Sequence, residues 1–188
     1  MNVFIKAIKP ALLCFLCLTL ICGIMYTGLV TVIAQLVFPD KANGSVIRVT
    51  LSNGTIAEYG SELIAQEFSH AEYLIGRPTG TSNLSSVSKE EAGLVQKRIQ
   101  WLKLLDPDND QVIPQELVTA SGSGVDPYIS PDAAEYQVSR IARIRGISES
   151  QVSVIIIRYT TQSFLGLWGE DGVNVLKVNL ALDGLLKG

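Results

Sequence analysis

Apolar residues crowd one end of this chain. From Ala11 to Phe38 it reads ALLCFLCLTLICGIMYTGLVTVIAQLVF, 28 residues without a Lys, Arg, Asp or Glu. At about 1.5 Å per residue that is roughly 40 Å of helix, enough to cross a hydrocarbon layer of about 30 Å. A cleaved leader has a shorter apolar core, about 7 to 15 residues, and ends on small residues that this run lacks. The pattern therefore predicts a retained transmembrane helix over 11–38, behind a short basic N-terminus, residues 1–10, that carries Lys6 and Lys9. Thr19, Gly23, Thr27, Thr31 and Gln35 recur every fourth residue, which gathers small and hydroxyl side chains along one side of the helix. Such a side admits close approach of a second helix, so these five form a candidate partner-helix face, with Gln35 in want of a hydrogen-bond partner.

Beyond the span the patterning changes period. Two β-favouring runs flank Ser52-Asn53-Gly54-Thr55 between Ile47 and Tyr59, which predicts a hairpin, since Asn-Gly accepts the positive φ of a tight turn. Ser61 is placed to cap a short helix through Phe68. Ser88 and Glu91 read as a capping box before a helix with Val95, Ile99, Leu102 and Leu105 on one face, which Pro107 stops. Trp101, off that stripe, faces another element. Ser130-Pro131-Asp132 opens a helix whose apolar positions Ala134, Val138 and Ile141 continue to Gly146, and Ser148 with Gln151 opens another that carries Val152, Ile155 and Ile156. Leu176 to Asp183 alternates apolar and polar, the mark of a half-buried strand. The fold class expected is α+β: a single N-terminal transmembrane helix followed by one compact mixed α+β extramembrane domain over 40–188.

Composition narrows the chemistry. A net charge of −3 and a pI near 5.2 argue against a nucleic-acid partner, which needs a basic face. Cys14, Cys17 and Cys22 all lie within the apolar run and read as small apolar residues, not as a disulfide scaffold or metal ligands. Setting Lys6 and Lys9 aside leaves −5 on the C-terminal portion. Lys6 and Lys9 before the span balance Lys41 and Arg48 after it; the usual outcome of such an anchor keeps the N-terminus in the cytoplasm and the domain extracytoplasmic, in the cell membrane.

Catalytic groups are scarce. His70 is the only histidine, which excludes a histidine metal cluster and leaves Ser121 or Ser123 no G-x-S-x-G elbow and a single imidazole to pair with. Asp106, Asp108 and Asp110 have alternate calcium-loop spacing, but Gln111 and Leu117 occupy the positions that need glycine and glutamate, so the segment reads as a solvated turn. No catalytic residue, metal site or tightly bound cofactor is expected. Ser121-Gly122-Ser123-Gly124 lacks the lysine of a phosphate loop; it reads either as a turn leading into the Ser130 cap or as backbone N–H groups offered to an anion.

The longest motif is Glu116 to Val138, ELVTASGSGVDPYISPDAAEYQV. It resembles the signature of the C subunit of Kdp-type potassium-transporting ATPases. Gly60-Ser61-Glu62-Leu63-Ile64 with Gln66 and Phe68, Gly76-Arg77-Pro78, Ser82-Asn83-Leu84, Val173-Asn174-Val175-Leu176 and Asn179-Leu180-Ala181-Leu182-Asp183 follow the same family's order. Ala65 stands where glycine is usual, Tyr128 where histidine or asparagine is common, and the stretch from Arg77 to Ser82 is shorter than usual. The resemblance implies a non-catalytic accessory subunit. Its partners would be the lipid bilayer, a potassium-channel-like subunit and a P-type subunit that hydrolyses ATP; this chain has no D-K-T-G phosphorylation motif. It implies a role in assembly, and as a catalytic chaperone that raises ATP affinity, with ATP bound only at the level of the complex. Gln137 and the loop Ser121, Gly122, Ser123, Gly124 are then the candidate nucleotide contacts. An extracytoplasmic domain would instead clamp the potassium entrance, its negative charge concentrating cations. The alternative from another class is a stand-alone, single-pass membrane-anchored sensor or binding module.

Overall fold

The structure, a computed structural model, describes residues 2–81, 83–163 and 169–186; Ser82 of the Ser82-Asn83-Leu84 motif lies outside them. It divides into two units, one ending at Ser45 and one starting at Val46.

In the first unit a helical rod runs through α1 (Asn2–Thr19), a π-helical stretch (Leu20–Tyr26) and α2 (Thr27–Val37), with right-handed helical geometry at both junctions. Lys6–Val37 is long and apolar enough to cross a membrane. The helix starts ahead of the predicted span and holds Pro10 in its interior. It ends at Phe38, whose φ of −135° leaves the helical region because a following proline crowds that conformation. The single turn α3 (Pro39–Ala42) then brings Asn43 back onto Gln35, and the two amides exchange hydrogen bonds of 3.3 and 3.1 Å.

In the second unit β1 (Val46–Thr50) and β2 (Ile56–Ser61) form the expected antiparallel hairpin, with Gly54 at φ +82°. The helix α4 (Lys89–Leu105) starts where Ser88 Oγ accepts from Glu91 N–H and sets Val95, Ile99 and Leu102 against the core. After it come β3 (Tyr128–Ile129), α5 (Pro131–Glu135), α6 (Val138–Arg145), α7 (Glu149–Arg158), β4 (Thr160–Thr161), β5 (Gly172–Asn174) and α8 (Val175–Leu182). Ser130 caps α5, Gly146 at φ +65° closes α6, and Ser148 with Gln151 makes a reciprocal capping box on α7. The sheet is antiparallel in the order β3-β5-β4, and Leu74, Ile129, Ile141, Val152, Val173 and Val178 pack at the centre of the core. Helices with small antiparallel sheets make the unit α+β, as expected.

Three local readings are corrected. Residues 176–183 are not a strand but the helix α8, capped by Asn174 Oδ1, which accepts from Lys177 N–H at 3.0 Å. Its alternation is not a surface period, because the polar Asn179 is as buried as Val178 and Leu180. Ser61 starts no helix: its Oγ accepts from Leu63 N–H two residues on, a local turn, and 62–68 is irregular. The helix from Ser130 to Gly146 breaks at Tyr136-Gln137. There the Gln137 side chain, through Nε2, takes the Ala133 carbonyl that its own backbone N–H would bond, and that N–H turns to Ala134 O instead.

The break serves a strap. Residues Ala71 to Ile75 enter the core with no strand beside them, and side chains from α8 and from the end of α5 onward supply their partners. Leu74 N–H donates to Asn179 Oδ1 at 2.8 Å and Asn179 Nδ2 donates to Leu74 O at 2.9 Å. Gln137 repeats the arrangement on Ile75, accepting at 2.8 Å and donating at 3.0 Å. Arg140 donates to Ala71 O, to Tyr73 O and, at 2.6 Å, to Gln137 Oε1, while Arg145 reaches Glu72 O at 2.7 Å. Each primary amide thus copies a peptide group of a neighbouring strand.

Truncating Asn179 leaves both polar groups of the buried Leu74 peptide unpaired, at about 1 to 3 kcal/mol each. Asn179→Ala is expected to cost about 3 kcal/mol in denaturant unfolding of the full chain. The same region sets a pH dependence. Burial, and then the hydrogen bond to Asp183, raise the Tyr73 phenol above its usual 10. A proton held more tightly in the folded chain stabilises the fold below pH 10, and that stabilisation is lost as pH climbs through the folded pKa. Arg140 acts oppositely: burial lowers it to about 10, so its contribution favours the fold as pH rises above 10. Tyr73→Phe isolates the tyrosine part, and thermal unfolding between about pH 9 and 11 is expected to show a shallower loss of stability than in the parent chain.

Candidate functional site

The strap delivers Arg77, of Gly76-Arg77-Pro78, to the wall of a cleft of about 740 Å³. Arg77, Thr81, Gln96, Thr119, Ser121 and Gly122 are among the residues that line it. Ser121 and Gly122 of the predicted loop therefore sit on an open surface, whereas Gln137 does not line this cleft. Gln137 is 1% exposed, and its amide is engaged by Ile75, Ala133 and Arg140. The structure links the two only indirectly, because Gln137 grips Ile75 two residues before Arg77.

The loop is built largely from its own contacts. Gly124 N–H donates to Ser121 Oγ at 3.0 Å and Val125 N–H to Ser123 Oγ at 3.2 Å, while the two serine hydroxyls lie 3.3 Å apart. Its far end is stitched on both sides: Gly80 N–H donates to Gly124 O and Ala65 N–H to Val125 O, each at 2.8 Å. Gly124 holds φ +69°, and a Cβ there would lie 2.6 Å from the Gly80 carbonyl carbon. Beyond the loop, Asp126 Oδ1 accepts from Tyr128 N–H, and the Glu116 carboxylate accepts from both Ser130 N–H and Ser130 Oγ–H. The first residue of the long motif is thereby tied to the start of α5.

Chemically the site offers hydroxyls, amides, one guanidinium and the carboxylate of Glu91. The imidazole of His70 lies 3.5 Å from Glu72 and does not line the cleft, so it is not in place as a general base for either serine. Among the described residues no group of three His, Cys, Asp or Glu is arranged to hold a metal ion. Arg77 is what the residue-by-residue reading missed. It appeared only inside a tripeptide motif, and nothing in the local sequence shows that a buried strap would aim it. It is loosely held, with Nη2 3.4 Å from Ala120 O and Nη1 3.6 Å from Asp126 Oδ2, and its buried Nε has no partner among the described residues. On the rod, Thr27 Oγ1 donates to Cys22 O at 3.0 Å and Thr31 Oγ1 to Thr27 O at 2.8 Å, while nothing lies within 4 Å of a Cβ built on Gly23. Together with Gln35 on Asn43, this turns three of the five stripe residues inward.

Comparison with known proteins gives one consistent result. The family described as KdpC, K+-transporting ATPase, c chain, matches residues 8–184. The chain is 54% identical over 188 residues to the potassium-transporting ATPase KdpC subunit of Listeria welshimeri, covering 98% of this chain and 99% of that one. It is likewise 54% identical to the Listeria monocytogenes protein of that name, and 44% identical over 201 residues to that of Clostridium perfringens, covering 97% and 99%.

Two neighbouring glycines give a sharp contrast. Gly124→Ala meets both a positive φ and immovable backbone, and is expected to cost at least about 2 kcal/mol in denaturant unfolding. Gly122→Ala faces open space at an ordinary φ and is expected to stay within about 0.5 kcal/mol of the parent. Equal costs would contradict the packing described.

Proposed function

The chain belongs to the KdpC family of K+-transporting ATPase c chains, and we propose that it acts as a non-catalytic, membrane-anchored subunit of an ATP-driven potassium uptake complex. The observation that carries this reading is near-full-length identity to chains named as KdpC subunits. In this reading ATP hydrolysis belongs to a separate P-type subunit and potassium selection to a channel-like one. The rod crosses the membrane with its N-terminus in the cytoplasm, and the domain from Val46 onward lies outside, over the potassium entrance. The chain supports assembly and raises the ATP affinity of the hydrolysing subunit through the assembled complex.

The rod supports docking by shape more than by hydrogen bonding, since Thr27 and Thr31 bond their own backbone and Gln35 bonds Asn43. In an α-helix a four-residue repeat drifts by about 40° per step. A π stretch, bonded i to i+5, holds more residues per turn and reduces that drift. Leu20–Tyr26 thus brings Thr19, Gly23 and Thr27 closer to one line, facing a helix of the channel-like subunit. A second reading, direct nucleotide contact by Ser121–Gly124 with Gln137 as its brace, draws support from the position of Ser121 and Gly122 on the cleft rim.

Affinity purification of the tagged full chain from membranes is expected to recover the other pump subunits. Gly23→Leu with Thr27→Leu is expected to lower that recovery at least about fivefold. Unchanged recovery sinks the docking face, and absence of any pump subunit sinks the accessory reading. Removal of the chain is expected to raise the KM for ATP of the remaining ATPase; an unchanged KM sinks the effect on ATP affinity.

A further inference from the structure

Four arginines of the second unit have largely buried side chains and are served differently; Arg98, at 23% exposure, donates to Val118 O at 2.9 Å. Arg140 and Arg145 place their donors on strap carbonyls and, for Arg145, also on Leu182 O and Asp183 Oδ1, both at 2.8 Å. Arg77 is three-quarters buried, at 25% exposure, yet among the described residues has only the long contacts to Ala120 and Asp126. A guanidinium carries five N–H donors, and desolvating it without close acceptors is unfavourable. Its place is imposed from outside itself, because Asn179 and Gln137 clamp Leu74 and Ile75 and Pro78 restricts the backbone just after it. The Nη donors, each beyond good hydrogen-bonding length from its neighbour, remain for an incoming acceptor.

The cleft beside Arg77 suits a polar guest. Its volume of about 740 Å³ is that of a small-molecule site. Ser121 Oγ, which accepts from Gly124 N–H, shares its proton only with Ser123 at 3.3 Å. Glu91, the carboxylate in the lining, lies 3.5 Å from Arg98 and is already paired. We propose that this cleft binds an oxyanion, the phosphate or carboxylate of a polar small molecule, with Arg77 as its principal ligand and Ser121 as a second donor. The proposal is independent of the nucleotide reading, since it requires the oxyanion and not the base.

The test is thermal unfolding of the purified full chain in detergent, at constant ionic strength balanced with chloride, with inorganic phosphate, succinate, ATP or adenosine added. At least one oxyanion is expected to raise the Tm by about 5 °C at a hundredfold excess over Kd, with adenosine inert. Arg77→Gln is expected to weaken that binding at least about tenfold, and Lys103→Gln, an exposed charge on α4 outside the cleft, to leave it unchanged. If Arg77→Gln does not fold, Arg77→Lys decides. It keeps the charge without the planar fork, so weaker binding supports the site and unaltered binding overturns it. No shift with any oxyanion overturns the proposal. So does an equal shift with adenosine, or an equal shift in Arg77→Gln, which marks general exclusion of the salt from the protein surface. ATP binding tighter than phosphate identifies the phosphate source as nucleotide. Phosphate or succinate binding with ATP inert upholds the site while removing direct nucleotide contact.

Discussion

A short run of backbone, Ala71 to Ile75, enters the interior of the second unit with no strand at its side. A peptide group buried without partners is too costly to keep. Asn179 and Gln137 meet that demand in the same way, each giving one donor and one acceptor to a single residue of the strap. Arg140 and Arg145 cover the carbonyls of Ala71, Glu72 and Tyr73. These contacts join segments 62 to 105 positions apart, and they are directional in a way that apolar packing is not. They fix the register of α6 and α8 against the strap, while Val178, Ile141 and Leu74 supply the burial that drives collapse.

The long glycine- and hydroxyl-rich motif takes on a different character in this setting. Read along the chain, Ser121 to Gly124 and Gln137 look like groups held out to a ligand. In three dimensions Ser121 and Ser123 bond the backbone of their own loop, Gly124 lies against Gly80, Glu116 holds the start of α5, and Gln137 holds the strap. Architecture therefore demands most of the motif. The loop and the strap are two edges of one construction, and Arg77 is where they meet the cleft.

What could be read in advance was whatever depended on neighbours in sequence. Ser88, Ser130, Ser148, Gly146 and Asn53-Gly54 act within three or four residues of themselves, and each start, stop or turn they signalled is present. Two of the three misread features depend on distant partners. Asn179 sat on the polar side of an apparent strand because its bond to Leu74 lies 105 residues away. Gln137 broke a helix for the sake of Ile75. Ser61, read as a cap, instead closes a local turn. The π stretch in the rod has no Pro or Gly/Ser pair to announce it, although the four-residue stripe that it straightens was legible as a repeat.

An accessory role agrees with what the titratable groups are used for. Strongly perturbed ionisation in a cleft is the usual mark of chemistry, but structural networks perturb pKa values as well. Here burial lowers Arg140 beneath the strap and raises Tyr136 in the core, and burial with the Asp183 bond raises Tyr73. None of the three lines the cleft. Four carboxylates are engaged in the same manner, Asp106 with Arg143, Asp183 with Arg145, Glu62 with Lys177 and Glu116 with Ser130. Acids and bases that hold backbone and helix ends in register are poorly placed to exchange protons with a substrate, because the motion and exposure that catalysis needs would release the segments they secure. The rod is the opposite case: its described apolar side chains are exposed and suit lipid or another helix. A unit made rigid by internal polar clamps, joined to a helix that demands an external surface, is suited to acting on a partner by position.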